Sequence, residues 1–328
     1  MSLLVAATSC DATRPRHVTD AGRDRARRDA GSAATARADP PTPADRDAIA
    51  RAARVPAPIV ESAPRFSPDG RHVAFVANSD GAPKLYLQEL GADSPPRAVF
   101  PIRGRFRRPV FSPDGRSLYY TSDRAGDEAF RIHRIDLASG TSDDVAVDGA
   151  LRRDSLWPTQ DGTRVLFTAR PMQAERTELF ELALTAGASP SRVLSDDSRT
   201  VATVRGDGRQ AVLLPHPNPN AIFVAALPSG VPRRLHPSED SSPAARRGTI
   251  HDVVYSPDGN TIYVATDDGT ERTHLLALEA HTGRIRLRHT EPREPGGEVH
   301  ALCATSDRIA FVIDLGTHHE VRVLDAAS

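Results

Sequence analysis

Residues able to do chemistry are scattered along this sequence rather than grouped. The densest set of metal-ligating types is His318-His319-Glu320. Neighbours on a strand point to opposite faces, so the two imidazoles do not converge on one ion, and a polar loop between strands accounts for them. Asp267-Asp268-Gly269-Thr270-Glu271 lacks the spaced oxygen ligands of a calcium loop and reads as a solvated turn. A serine hydrolase of the α/β type needs Gly-x-Ser-x-Gly to hold its nucleophile on a strained turn, and the sequence contains none. It also lacks His-Glu-x-x-His, and a phosphate-binding Gly-x-x-x-x-Gly-Lys is ruled out because Lys84 is the only lysine. Cys10 and Cys303 are too few for a disulfide framework or a cysteine zinc site. The sequence therefore predicts no catalytic residue, no metal and no cofactor.

Charge excludes further classes. Forty-two basic residues against 43 acidic ones leave a net charge of −1, which gives no general attraction to nucleic acid or anionic membranes. No apolar run approaches the roughly 20 residues of a membrane-spanning helix.

The elements that must position any site are set by a repeat. Phe66-Ser67-Pro68-Asp69-Gly70 recurs as Phe111-Ser112-Pro113-Asp114-Gly115 and Tyr255-Ser256-Pro257-Asp258-Gly259. Two worn copies lie between them, Trp157-Pro158-Thr159-Gln160-Asp161-Gly162 and Val204-Arg205-Gly206-Asp207-Gly208. A sixth copy, Ala304-Thr305-Ser306-Asp307, replaces the glycine with Arg308. The five glycines are spaced 45, 47, 46 and 51 residues apart. Each Asp-Gly favours a tight reversal, since Gly accepts positive φ and Asp bonds the backbone two residues on. Short β-branched or aromatic runs follow each turn, such as Thr261-Ile262-Tyr263-Val264-Ala265, and alternating runs such as Arg131-Ile132-His133-Arg134-Ile135 come next. Four strands in roughly 45 residues is the size of a propeller blade. The expected fold is all-β: a six-bladed β-propeller of four-stranded antiparallel blades, over residues 55–328. Its repeats fall near 62–104, 105–150, 151–197, 198–246, 247–295 and 296–328. Trp157 is expected in the core between blades, and Cys303 as a buried thiol on an inner strand.

Residues 1–54 differ. From Asp11 to Ala48 the only large aliphatic residue is Val18, so this linker cannot bury enough apolar surface to offset its ordering entropy and is expected to be disordered. Small residues before Cys10, followed by this linker, read as the end of a lipoprotein signal, with Cys10 as the lipidation candidate. The missing positive n-region, the short apolar core and Ala7 speak against it; a start codon assigned too late would account for the first two but not for Ala7. The compartment stays open between a periplasmic or membrane-anchored lipoprotein and a cytoplasmic protein. The last repeat shows three strands, and Val55-Pro56-Ala57-Pro58-Ile59-Val60 could cover its edge and fasten the ring; alternatively the chain is the front of a longer protein.

The Ser-Pro-Asp-Gly boxes, with an aromatic before and an Ile-Ala-Phe type of strand after, resemble the TolB-like (PD40-type) propeller repeat. They are similar as well to the N-terminal propeller of prolyl oligopeptidase-type serine peptidases, and Ser122-Asp123-Arg124-Ala125-Gly126-Asp127-Glu128 is closer to the latter. Nothing in this sequence supplies the peptidases' hydrolase domain. Strands in a blade alternate direction, so the connections into the first strand and between the second and third share one face. That face should carry Arg107, Arg152, His251 and His300 from the first set, and Asp123, Glu128, Arg176, Glu271, Arg272 and His318 from the second. Charges of both signs around a funnel suit the termini of a peptide or a charged protein loop, although solvated loops would look the same. The expectation is a non-catalytic binding propeller with a protein or peptide partner; the other reading is the substrate-gating propeller of a peptidase.

Overall fold

The computed structural model describes residues 62–77, 84–89, 95–102, 106–123, 126–146, 151–171, 177–238, 248–267, 270, 272–290, 298–304, 308–314 and 319–325. Residues 1–61, with Cys10 and the Val55–Val60 segment, and Arg176, Glu271 and His318 lie outside the described residues.

Blade 1 runs β1 (Ser62–Phe66), β2 (His72–Ala77), β3 (Lys84–Glu89) and β4 (Arg97–Pro101). Blade 2 runs β5 (Phe106–Phe111), β6 (Ser117–Ser122), β7 (Arg131–Asp136) and β8 (Ser142–Ala146). Blade 3 is β9 (Leu151–Pro158), β10 (Arg164–Pro171), β11 (Glu178–Ala183) and β12 (Ser191–Leu194). Blade 4 is β13 (Arg199–Val204), β14 (Gln210–Pro215), β15 (Ile222–Ala226) and β16 (Arg233–His236). Blade 5 is β17 (Ile250–Tyr255), β18 (Thr261–Thr266), β19 (His274–Glu279) and β20 (Ile285–His289). Blade 6 holds β21 (Glu298–Ala304), β22 (Arg308–Asp314) and β23 (His319–Asp325). Every sheet is an antiparallel meander with neighbours in chain order, and no α-helix occurs among the described residues. This is the six-bladed propeller that the repeat predicts, with three described strands in the last blade. The expected polar loop at His318-His319-Glu320 is corrected in part: His319 and Glu320 open β23, because the alternation that begins there continues to Asp325.

Burial explains the strand sequences. A blade's second strand lies between two neighbouring blades, so neither face is polar; Ile262 to Thr266 on β18 are buried without a break. The outer strands meet solvent, and on β20 only Leu287 and His289 are even half-buried. The core is five clusters, each shared by adjacent sheets, from Leu85 with Leu118 and Ile135 between blades 1 and 2 to Leu275 with Ile309 and Phe311 between blades 5 and 6. A fully buried side chain of this size contributes about 1.5–3 kcal/mol. Cys303 on β21 is half-buried rather than fully buried as expected, and desolvation pushes its thiol's pKa up, against the Arg65 charge beside it.

The turns between first and second strands share one geometry. In blade 1 the Gly70 N–H donates to the Ser67 carbonyl and the Ser67 N–H to His72, a type I turn with proline second and a glycine at φ 67° closing it. Ser67 Oγ also donates to Asp69 at 2.5 Å, and Asp69 accepts the Arg71 N–H. Ser112 with Asp114 and Ser256 with Asp258 repeat this, closed by Gly115 and Gly259 at φ 70° and 71°. The worn copies keep the bond with other donors. Thr159 donates to Asp161 at 2.6 Å, and Arg205 grips Asp207 with two nitrogens at 2.9 and 2.7 Å.

Candidate functional site

On the loop-rich face, the structure brings one pair of the expected residues together. Glu128 lies in the β6–β7 connection in a left-handed conformation, φ 55°, uncommon for a residue other than glycine. Its carboxylate lies 3.3 Å from Arg152 on β9 of the next blade, and the Arg152 guanidinium stands 5.7 Å over the Phe130 ring. Beside it Asp127 pairs with Arg131 at 2.8 Å. Arg153 turns the other way, fully buried, donating to the Phe130 carbonyl at 3.4 Å.

The remaining candidates are dispersed. Asp123, just past the end of β6, is buried. His251 on β17 approaches Asp267 at 3.9 Å. Asp267 also accepts the Thr249 N–H; Asp268, Gly269 and Glu271 of the expected turn lie outside the described residues. Arg272 is half-buried, and its carbonyl receives the Thr270 hydroxyl. Arg107 on β5 and His300 on β21 hold their places in the ladders opposite Thr121 and Val312.

Sequence reasoning missed one chain of functional groups. Ser122 Oγ lies 2.9 Å from His133 Nε2, and His133 Nδ1 lies 2.7 Å from Asp144 Oδ1, on the second, third and fourth strands of blade 2. With the Nδ1 proton directed at the carboxylate, Nε2 accepts from the hydroxyl, the order used to activate a serine. Exposure is inverted relative to that use. Ser122 and His133 are each 7% exposed and the ring stacks on Tyr120 at 4.9 Å, while Asp144 is the open end. The arrangement ties three strands together. Its signal was the equal spacing of eleven residues from Ser122 to His133 and on to Asp144.

The opposite face is a ring of turns. Gln160 stands where other boxes have proline; its backbone N–H donates to the Gly206 carbonyl at 2.8 Å and its side chain to the Pro257 carbonyl at 2.5 Å, linking blades 3, 4 and 5. Tyr255 donates to Gln210 at 2.8 Å across the next junction, and burial raises its pKa. A depression of about 430 Å³ opens here, lined by Pro68, Phe111, Pro113, Trp157, Pro158 and Gln160 among others. Trp157 is half-buried, packed against the core between blades 3 and 4 and also lining this depression. Among the described residues no group of three or more His, Cys, Asp or Glu could hold a metal ion.

A family model described as PD40, TolB beta propeller domain, matches residues 47–213. Dipeptidyl aminopeptidase BIII of Pseudoxanthomonas mexicana is 25% identical over 273 residues, covering 80% of this chain and 38% of its own length. This chain thus spans about two fifths of that relative. Among solved structures, TolB from Acinetobacter baumannii matches with TM-score 0.53 and 21% identity over 72% of this chain and 55% of that one. Prolyl oligopeptidase B from Galerina marginata matches with TM-score 0.60 and 10% identity over 82% of this chain and 40% of that one. At these identities the solved structures speak to the fold.

Proposed function

The chain belongs to the TolB β-propeller family, and on that premise we propose that it is a non-catalytic binding propeller whose loop-rich face takes a protein or peptide partner. The observation that carries this reading is Glu128. A non-glycine residue held at φ 55° stores strain that persists only where surrounding structure over-determines it, and such residues cluster at ligand clamps. Here the strain delivers a carboxylate to Arg152 across a blade boundary, leaving both side chains partly exposed at 44% and 25%. A guanidinium so placed can exchange its partner for a peptide carboxylate through two parallel hydrogen bonds.

The test is retention of the purified chain on arrays of peptides with free or blocked termini, with wild type compared with Arg152→Gln. Binding that needs a free carboxyl terminus and falls about tenfold or more in the variant supports the reading, on the basis that a charge-assisted pair is worth about 1.5–3 kcal/mol. Equal retention of both proteins refutes it.

A second reading rests on the match to the dipeptidyl aminopeptidase over 80% of this chain. In it the chain is the substrate-gating propeller of a peptidase. Hydrolysis of dipeptidyl-p-nitroanilides that appears only when a separate hydrolase polypeptide is added would favour it. Cys10 remains the proposed lipid attachment point, which intact mass of the mature amino terminus tests.

A further inference from the structure

Glu128 is offered to Arg152 by a turn that braces itself. The Ala129 N–H donates to Asp127 at 3.1 Å, and the Phe130 N–H closes on the Glu128 carbonyl at 3.1 Å. Arg131 donates to the Ala129 carbonyl at 2.9 Å and to the Asp127 carboxylate at 2.8 Å. None of these bonds involves the Glu128 side chain or Arg152. The left-handed backbone at Glu128 is thus set locally, and it brings the carboxylate to the blade 2–blade 3 boundary without help from Arg152.

The engagement itself is slight. One Arg152 nitrogen reaches one Glu128 oxygen at 3.3 Å, whereas charge-assisted bonds of this type ordinarily close to about 2.7–2.9 Å. The guanidinium, by contrast, rests over the ring of Phe130, which is fully buried and cannot shift. A fixed cation holding a loosely fitted carboxylate is a site whose present occupant can be replaced.

Strand register supplies a second cation. Arg170 on β10 stands directly opposite Arg152 on β9, so the two side chains leave the same face of the sheet with Cβ atoms about 5 Å apart. The next pair along the ladder, Arg153 and Ala169, leaves the other face, with Arg153 buried beside the Phe167 ring. Arg152 and Arg170 are both half-buried. Like charges opposite one another destabilise a sheet, and an anion shared between them reverses the sign. The anion that the structure shows at Arg152 is a carboxylate.

Resting on the carboxylate-binding reading of this face, we propose that Arg152 and Arg170 together form the subsite for the C-terminal carboxylate of a peptide, and that Glu128 fills it until the peptide arrives. A free carboxylate between the two guanidiniums can give one oxygen to each, where Glu128 makes a single long bond. Displacing so exposed a contact lowers the affinity by at most about fivefold.

Two measurements on the full chain test this. The first titrates acetyl-trialanine, as the free acid and as the amide, against the NMR signals of the arginine side chains. The acid should bind about tenfold or more tighter than the amide. Arg152→Gln and Arg170→Gln should each erase that preference, whereas Arg134→Gln, which removes an equal charge from the exposed pair with Asp143, should keep it. Glu128→Gln should tighten binding of the acid about two- to fivefold and leave the amide unchanged. Equal binding of acid and amide would overturn the carboxylate reading and the subsite with it. A preference lost in Arg152→Gln but kept in Arg170→Gln, or weaker binding by Glu128→Gln, would overturn the subsite alone. The second measurement needs no ligand. In urea unfolding, Glu128→Gln should lower the folding constant about threefold in wild type and less than about 1.5-fold beside Arg170→Gln, where the carboxylate has one cation to serve instead of two. Additive effects would separate Glu128 from Arg170 and overturn the proposal whatever the peptides do.

Discussion

Gly162 and Gly208 close equivalent turns in adjacent blades, at φ 67° and 70°. An alanine at either position is forced into the left-handed region, which costs about 1–2 kcal/mol, partly offset by about 0.4–1 kcal/mol from a less flexible unfolded chain. The surroundings differ. A Cβ at residue 162 would meet nothing within 4 Å, whereas one at 208 would lie 2.8 Å from Thr159 Cγ2 and 3.2 Å from Arg164 Nη2 and Leu166 Cδ1. None of these can step aside. Thr159 is held by its bonds to Asp161 and Arg164, Arg164 donates to the Asp207 carbonyl, and Leu166 is fully buried. Overpacking of this kind adds about 1–3 kcal/mol. Gly162→Ala should therefore destabilise by about 1 kcal/mol and Gly208→Ala by about 2–4 kcal/mol. For a domain of this size that corresponds to melting points lowered by about 2–4 °C and by about 5–12 °C. Thermal unfolding followed by circular dichroism, with urea midpoints at unchanged slope, measures both. If the two variants melt within a degree of each other, the turns do not pack blade against blade as described, and the argument fails.

Arg205→Ala removes the two-nitrogen grip on Asp207 and should cost about 1 kcal/mol after allowing for solvent around the partly exposed pair, whereas Arg205→Ser restores the hydroxyl of the other boxes and should recover more than half of it in urea denaturation. In acid, the Thr159 hydroxyl above all, then the Thr163 N–H, lower Asp161 to about 2, and Ser67, Ser112 and Ser256 lower Asp69, Asp114 and Asp258 likewise. These carboxylates bind protons less readily folded than unfolded, so their stabilisation is complete above the ordinary value of 3.8 and is lost as pH falls toward about 2. Thr159→Val should move the acid-unfolding midpoint upward in pH, and an unmoved midpoint would contradict the assignment. His133→Leu should cost about 1–3 kcal/mol by leaving Ser122 without its partner, and a fluorophosphonate should leave Ser122 unlabelled in the wild type; covalent labelling would show that the closed reading of that chain is wrong.

The blades were legible because Asp-Gly turns and β-branched runs are local signals. What those signals could not convey was equivalence between unlike residues. Arg205 stands where three other boxes have serine, and by type alone the copy looks degraded. Only the geometry reveals that a guanidinium supplies the same donor to the same aspartate. Gly206 is similar: it replaces proline because Gln160 occupies the space, with its Nε2 2.7 Å from where a Cβ would lie. The funnel residues were read by face alone, which gave no sign that Asp123 is buried or that Glu128 and Arg152 meet. Ser122, His133 and Asp144 escaped because aligning three strands requires their register to one residue, and a slip of one turns each side chain to the other face.

The two faces of the ring divide its physical roles, and strand bounds alone make the division visible. Between first and second strands the connection is five residues in each of the first five blades. Each of these turns is closed by a glycine at positive φ, and in blades 3 to 5 the turns bond directly to one another. A change of length there would break contacts on two blades at once. Connections into the first strand instead run four residues into β5, β9 and β13, thirteen into β17 and eight into β21. Variation in length accumulates where it disturbs no neighbour, and loops carried on a rigid scaffold are where recognition is commonly built. The strained Glu128 lies on that same variable face, opposite the fixed turns. A partner that docked on the turn ring would meet the least adaptable surface of the molecule, whereas the loop face offers charge, strain and room for insertion together, and that asymmetry directs the search for a ligand to the blade 2–blade 3 boundary.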